Sequence, residues 1–452
     1  MLDETHDLTR RSWVESANGH PDFPIQNLPI GVFAPPDEAP RAGIAIGDQI
    51  LDLCAALDCG LFTDDAGHAA QSACGPTLNT YLALDARYRR ALRRQLSQLL
   101  NDDGQGRGRV LRAPRRLLHA ARDCALRLPA SVGDYTDFVA SMHHVERVCI
   151  SAHPRTPVTD NFRFMPVAFH GRASTVQISG TEVRRPRGQF LRVGKRHPEF
   201  AHTEALDYEA EVGLWIGGQN PLGEPESLHS AAGRIAGMCL VNDWSARDLQ
   251  RWEALPLGSF ASKNFLTSVS PWIVSAEALA PFRTRAAERG DGDPQPLDYL
   301  RDLQDQQLGA FDVEIETYLR TASMAERGQP PQMIARSSLA NLYWTPAQLI
   351  AHHTVNGCAL RPGDLVATGT VSGVDESESG CLLELTRRGI DPLQLGDEQR
   401  AWLEDGDELI LRGRCERDGY VGIGFGECRG RISPGRGAVP RWPGSPASTH
   451  PA

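Results

Sequence analysis

The sequence predicts a mainly β chain with some α, built as a small N-terminal barrel followed by a larger strand-rich domain. Three observations carry that expectation. Short apolar runs broken by Pro and Gly fill Phe23 to Leu53, the pattern of short strands and tight turns. From Leu206 to Ile216 the even positions Leu206, Tyr208, Ala210, Val212, Leu214 and Ile216 are apolar, while Asp207, Glu209 and Glu211 take the other face. That period is a strand with one buried side. Between the two regions, Thr77 to Leu100 sets Leu78, Leu82, Leu92, Leu96, Leu99 and Leu100 among five arginines, which reads as one amphipathic helix with its charges in solvent.

Taken in order, residues 1–20 are polar and charged and lack the apolar core of a signal peptide, so they are expected to be a flexible N-terminus. Residues 21–118 hold the barrel strands (Gly31–Ala34, Gly43–Ile50), the helix and a Gly-rich linker at Asn101–Arg116. Residues 119–431 form the second domain, and 432–452, rich in Pro, Gly and Ser, read as a disordered tail. A chain of 452 residues has room for two or three domains. The net charge of −10 lacks the basic footprint of a nucleic-acid partner, and no apolar run is long enough to span a membrane. Ten cysteines are scattered without a C-x-x-C pair and are expected to be reduced, mostly buried thiols in a cytoplasmic protein.

Chemistry concentrates where apolar strands meet acids. The run Ile235–Val241 leads to Asp243, with Arg247, Gln250 and Lys263 close behind. Asp243 caps a helix starting near Ser245, or it is an acid held among cations in a site. Glu209 and Glu211, two apart on a strand, either face water or hold a hard cation, since oxygen-only ligands suit calcium or magnesium. Phe138 to Val148 is expected to be a helix capped by Asp134 or Thr136. There Asp137 and His144 lie two turns apart, about 10 Å, on one face. Such a pair suits a metal ligand beside a proton-handling base, although a single helical histidine is also ordinary packing.

Further on, Thr345-Pro346 opens a helix to about Val355, and Arg361–Asp364 turns it into a strand. The loop Gly369–Gly373, containing Thr370, is either an anion cradle of backbone amides or a surface turn. An expected strand Cys381–Leu385 sets Glu384 between leucines, where orienting a histidine would satisfy it. His170, His352 and His353 read as structural. There is no G-x-S-x-G, Walker loop or dinucleotide fingerprint.

Several stretches together resemble the fumarylacetoacetase family, hydrolases that end tyrosine and phenylalanine breakdown. They are Asp22–Pro29, Gly133–Phe138, His170–Ser174, Asn242–Gln250, Pro256–Gly258, Ser270–Trp272, Val355–Cys358, and Leu360–Asp364 with Gly369-Thr370. The resemblance implies an SH3-like barrel preceding a mixed β-sandwich roll, a homodimer, and hydrolysis of a β-diketone acid, fumarylacetoacetate to fumarate and acetoacetate. It implies that Asp137, Glu209, Glu211 and Asp243 hold calcium (or magnesium). Lys263 and Thr267 would lie near a second, magnesium-type site. His144 would be the general base, oriented by Glu384, while Arg247, Gln250 and Lys263 would stabilise an oxyanion, with Gln250 and Thr370 also touching substrate.

The departures lie in the substrate contacts. Val139, Phe169 and Ala254 stand where the family has tyrosines, and His153 where it has an arginine, with Arg155 nearby. Lost hydroxyls leave a substrate's polar groups unpaired and can change discrimination by orders of magnitude. One alternative is therefore a diverged member acting on a more apolar acyl substrate, as an acylpyruvate-type hydrolase, decarboxylase or isomerase. The other is a catalytically silent dimeric scaffold.

Overall fold

The computed structural model describes residues 2–103, 105–149 and 158–436. At its centre is a thirteen-stranded sheet. Its strands are β1 (Ile30–Ala34), β2 (Arg41–Ile46), β3 (Gln49–Asp52), β4 (Leu118–Ala120), β5 (Ala125–Arg127), β6 (Tyr135–Val139), β7 (Val167–Gly171), β8 (Val176–Ile178), β9 (Ala210–Ile216), β10 (Ile235–Asp243), β11 (Thr267–Val269), β12 (Trp272–Ser275) and β13 (Leu365–Ala367). The order is β4-β3-β2-β1-β12-β10-β9-β13-β6-β7, with β5 on β1 and β11 pairing both β10 and β8. The strands of the first unit thus run on into the second through β1 and β12, where Gly31 sits opposite Trp272. A Cβ on Gly31 would meet the Trp272 ring at 2.7 Å, so this join needs a glycine.

A five-stranded sheet of Val183–Arg184, Glu314–Arg320, Gln332–Ser338, Glu408–Cys415 and Ile423–Ser433 covers one face of the large sheet. Val212, Leu214, Met238 and Leu240 pack there against Ile315, Leu409, Leu411 and Phe425. The other face carries Tyr135, Trp215, Cys239, Val241 and Ala367, which pack with Leu92 and Leu96 of helix α1 (Ala86–Leu100). Consequently β9 is buried throughout. Of the two readings of the acidic face, the one in water fails, because the alternation reports two different cores rather than core and water.

The remaining helices near the site are α2 (Met142–Cys149), α3 (Arg247–Glu253), α4 (Pro346–Thr354) and α5 (Leu382–Leu385). Helix α4 begins as expected, with Thr345 and Gln348 forming a capping box behind Pro346. The single helix expected over Thr77–Leu100 is instead two, because Asp85 accepts from the Arg87 N–H at 3.0 Å and starts α1 afresh.

Residues 2–20, expected to be flexible, are not loose. Thr5 and His6 are buried, Ser12 Oγ donates to the Leu100 carbonyl at 2.8 Å, and Trp13 Nε1 donates to Leu99 at 2.9 Å. Arg93, expected in solvent, is buried and donates to Thr5 Oγ1 and to the carbonyls of Gln26 and Asn27. Side-chain bonds to backbone of this kind leave no periodic trace in a sequence. Strands β4 and β5 hydrogen-bond to β3 and β1, so the first unit extends past residue 118. Cys54 and Cys74 form a disulfide, with Cα atoms 5.4 Å apart. This corrects the reading of all ten cysteines as thiols and removes one support for a cytoplasmic address. Most of the tail, 437–452, lies outside the described residues. No described helix is long and apolar enough to cross a membrane.

Candidate active site

Four carboxylates meet at one end of the large sheet because strand parity points them the same way. Asp137 shares a face of β6 with Tyr135, Glu211 a face of β9 with Trp215, and Asp243 a face of β10 with Val241. Glu209 extends the β9 row by one repeat. Strand β13 lies between β9 and β6 and offers only Ala367 there, opposite both Gly213 and Asp137. A ligand oxygen from each of Asp137, Glu209, Glu211 and Asp243 lies within 4.8 Å of the others, and all four residues are buried. Asp137 therefore comes from a strand, not from the helix expected over Phe138–Val148. Tyr135-Thr136-Asp137-Phe138-Val139 is rich in β-branched and aromatic residues, and the helix waits until Met142.

Cations border one side of the cluster. Lys263 Nζ contacts Glu209 and lies 2.6 Å from Asp243 Oδ2, and Thr267 Oγ1 donates to Asp243 Oδ1 at 3.0 Å across the β10–β11 ladder. Arg247 Nη1 lies 2.8 Å from Glu209, and its Nε donates to Asp207 at 2.8 Å. Asp243 is therefore bound by side chains rather than capping a helix, and Ser245-Ala246 is a short strand. Lys263 acts here as an ammonium donor, with its pKa raised by Asp243 and Glu209 against the opposing effect of burial. The carboxylates around Lys263 and Thr267 are those already in the cluster.

The four acids do not share this support equally. Burial pushes the Glu209 carboxyl up, but Lys263, Arg247 and His144 outweigh it and hold it at about 2. Burial and the neighbouring carboxylates push Asp137 and Glu211 well above the usual range, and burial raises Asp243 against Lys263. Both oxygens of Glu211 and Oδ1 of Asp137 are buried with no hydrogen-bond partner among the described residues. Four carboxylates face one lysine and one arginine that is itself shared with Asp207, so with all four ionised at least two negative charges would be uncompensated, which is why the protonated forms of Asp137 and Glu211 are favoured until a further cation arrives. Buried oxygens without partners, an oxygen-only donor set and that excess of charge fit a divalent hard cation.

Beside the cluster, His144 of α2 presents Nδ1 to Glu384 Oε1 at 2.7 Å. Glu384 lies in the helical turn α5, not in the expected strand. Asp207 starts that turn by accepting from the N–H groups of Leu382 at 2.8 Å and Leu383 at 3.0 Å. Glu384 also accepts from Ser372 Oγ at 2.8 Å, Cys381 Sγ at 3.3 Å and Arg147 Nη1 at 3.2 Å. Burial would raise its carboxyl, yet His144 and these donors hold it below the ordinary value.

Arg147, Ser372, Cys381 and Asp207 were not singled out by sequence reasoning. The available signals were weak: Arg147 follows His144 by one helical turn, Ser372 lies in the Gly369–Gly373 loop, and Asp207 is one more acid in the acidic strand.

The residues expected to contact substrate lie on several of these elements. Phe169 on β7 pairs with Asp137, and its ring centroid lies 6.0 Å from Lys263 Nζ. Val139 ends β6 and Ala254 follows α3, both half-buried. Gln250 accepts from Arg247 at 3.0 Å and donates to Ser259 at 3.0 Å. Thr370 Oγ1 is buried without a partner among the described residues. His153 and Arg155 lie outside the described residues.

Two family models match the chain: Fumarylacetoacetase N-terminal over residues 26–129, and Fumarylacetoacetate (FAA) hydrolase C-terminal over 134–433. The chain belongs to the fumarylacetoacetase family. It is 43% identical to the fumarylacetoacetase of Oryza sativa subsp. japonica, covering 94% of this chain and 97% of that one. It is 42% identical to the human fumarylacetoacetase, covering 91% and 96%. Among solved structures, a fumarylacetoacetate hydrolase from Exiguobacterium antarcticum aligns over 90% of this chain and 100% of its own, with a TM-score of 0.48 and 16% identity. Membership in the fumarylacetoacetase family covers both units described above, from β1 to the last strand of the five-stranded sheet.

Proposed function

We propose that this chain hydrolyses the carbon–carbon bond between the carbonyls of a 1,3-diketone acid, the fumarylacetoacetate reaction for which its relatives are named. The observation that carries this reading is the His144–Glu384 contact set beside four buried carboxylates with unpartnered oxygens. Because Glu384 is an acceptor, it fixes the His144 proton on Nδ1 and leaves Nε2 as the acceptor of a water proton. Attack on the carbonyl carbon places negative charge on oxygen, and Arg247 Nη2, buried without a partner among the described residues, is an unused donor nearby. Lys263 and Gln250 border the same space. Asp137, Glu209, Glu211 and Asp243 would hold calcium or magnesium, which supplies Lewis-acid stabilisation of negative oxygen when bound.

Retention of a histidine oriented by a carboxylate favours hydrolysis over isomerisation or decarboxylation, neither of which needs an activated water. A second reading concerns the acyl group. Val139, Phe169 and Ala254 give an apolar wall where relatives supply hydroxyls, which supports a less polar substrate than fumarylacetoacetate. A homodimer in the cytoplasm, working at the end of tyrosine and phenylalanine breakdown, belongs to the same proposal. Leu255, Leu257 and Phe260, strongly exposed just beyond Ala254, offer an apolar surface for a second copy.

The test is absorbance loss with fumarylacetoacetate, acylpyruvates and apolar β-diketones, with and without chelator, for the parent and His144→Ala. Chelator-sensitive turnover lost in His144→Ala is expected. Turnover indifferent to both sinks the mechanism, and a preference for fumarylacetoacetate at the full family rate sinks the altered-substrate reading.

A further inference from the structure

Beside the oxygen-only cluster lies a second group of a different chemical character. A ring nitrogen of His144, the Cys381 sulfur and a carboxylate oxygen of Glu384 lie within 4.8 Å of one another, and all three residues are buried. Nitrogen, sulfur and oxygen together are the donor set of a borderline-soft ion such as zinc, not of calcium or magnesium. We infer that His144, Cys381 and Glu384 form an inhibitory site for Zn2+ and similar soft divalent ions, separate from the acidic cluster. The inhibitory sense rests on the proposal that His144 is the base. An ion held there blocks the ring nitrogen or displaces the Glu384 contact that orients it.

Geometry and charge both allow the ion. Zinc bond lengths of about 2.0–2.3 Å in a tetrahedron put ligand atoms about 3.3–3.7 Å apart. The Cys381–Glu384 separation is already 3.3 Å and the His144–Glu384 separation is 2.7 Å. The second must open by about 0.6 Å to reach that range, a movement within reach of a glutamate rotamer. On binding, Cys381 releases its proton to solvent and the His144 proton moves from Nδ1 to Nε2, so that the ring coordinates through Nδ1 as neutral imidazole and Nε2 no longer accepts a water proton. One thiolate and one carboxylate then neutralise the ion itself, and the remaining charge, that of Arg147, sits on a partly exposed side chain. Glu384 keeps Arg147 on its other oxygen, so the ion does not strand that guanidinium. Without a soft ion, burial and Glu384 push the Cys381 thiol well up, so it stays protonated and the dyad works undisturbed.

The full-length protein loaded with calcium or magnesium is titrated with Co2+ and followed for the near-ultraviolet absorption of a thiolate–cobalt bond, in the parent and in Cys381→Ser. Zn2+ inhibition is measured in parallel, each protein being referred to its own rate without zinc. The expected result is a one-equivalent band lost in Cys381→Ser, with at least a tenfold weaker response of that variant to zinc. A band that survives in Cys381→Ser overturns the site, as does zinc inhibition of equal strength in both proteins. A band lost in the variant while the zinc-loaded parent keeps full activity upholds the metal site and instead rejects His144 as the base. Because the absorption needs no turnover, the site is decided even if no diketone is cleaved. Circular dichroism and melting of Cys381→Ser show that the variant is folded.

Discussion

The two polar clusters of this chain are neighbours with opposite states of satisfaction. Glu384 has four side-chain donors within reach, the buried His144 among them, and its charge is held by them. Glu211, a few residues along the sequence from Asp207 and also buried, has none among the described residues. A buried carboxylate that is fully bonded is a finished part whose position is fixed before any ligand arrives. A buried carboxylate with no partner costs stability until something supplies the missing charge. The difference separates a preorganised base from a place prepared for a cation, and each half can be broken independently.

The largest expected effect comes from the satisfied half. Glu384→Gln is nearly isosteric, but its amide no longer fixes the proton on His144 Nδ1. The rate is expected to fall by about 10²–10⁴-fold, with metal affinity unchanged. Activity within a fewfold of the parent, measured by turnover and metal titration together, would show that Glu384 is only a structural acid.

The unsatisfied half should answer with two opposite signs. Glu211→Gln replaces a carboxyl whose ionised form is disfavoured by burial and the neighbouring acids in the folded chain but not in the unfolded one, so at neutral pH the metal-free variant is expected to be more stable than the metal-free parent by about 1–3 kcal/mol. The parent, in turn, should gain about 3 kcal/mol at a hundredfold excess of calcium or magnesium over its dissociation constant, and the variant much less. Chemical denaturation with and without the ion measures both. A variant that loses stability without metal would mean that Glu211 has a partner in solution.

How much of this was legible depended on range. The strand runs, the acidic row at Glu209 and Glu211, the capped helix after Thr345 and the turn at Arg361–Asp364 are local patterns, and the sequence shows them. That Asp137 lies on a strand was obscured because Gly133-Asp134 looks like a cap before an apolar run with helical spacing. The apolar run Cys381–Leu385 around Glu384 likewise reads as a strand, and only Asp207, 175 positions earlier and bonded to the Leu382 N–H, makes it a helical turn. Arg93 and the N-terminal segment were misjudged for the same reason: their bonds run from side chain to distant backbone. Resemblance supplied the grouping of Asp137, Glu209, Glu211 and Asp243, and strand parity supplies the reason they meet.

The wall of the site gives a smaller effect. Phe169→Tyr restores one hydroxyl beside Lys263 and opposite Asp137 in the ladder. If the wall sets acyl preference, kcat/KM for fumarylacetoacetate should rise by about tenfold relative to an apolar diketone, the worth of one hydrogen bond to a charged or polar partner. An equal change for both substrates would place the ring outside the acyl contact.

The smallest effect tests whether burial alone, without a cluster, leaves a carboxylate in debt. Asp305 is remote from both groups, buried, and accepts one side-chain bond, from Thr345 Oγ1 at 2.9 Å. Burial raises its carboxyl to about 6, only partly offset by that bond. A folded value above the unfolded one means that its contribution is fully present below the unfolded value near 3.8, and is lost as pH rises through about 6. The Asp305→Asn variant keeps an acceptor for Thr345 and carries no charge. Its stability should therefore fall less than the parent's between pH 4 and 7, by about 1–2 kcal/mol. Added calcium should leave that difference untouched, because a single carboxylate with a hydroxyl partner is not a cation site. If calcium did abolish it, the contrast between lone and clustered acids would fail, and burial rather than convergence would be what marks a metal ligand in this chain.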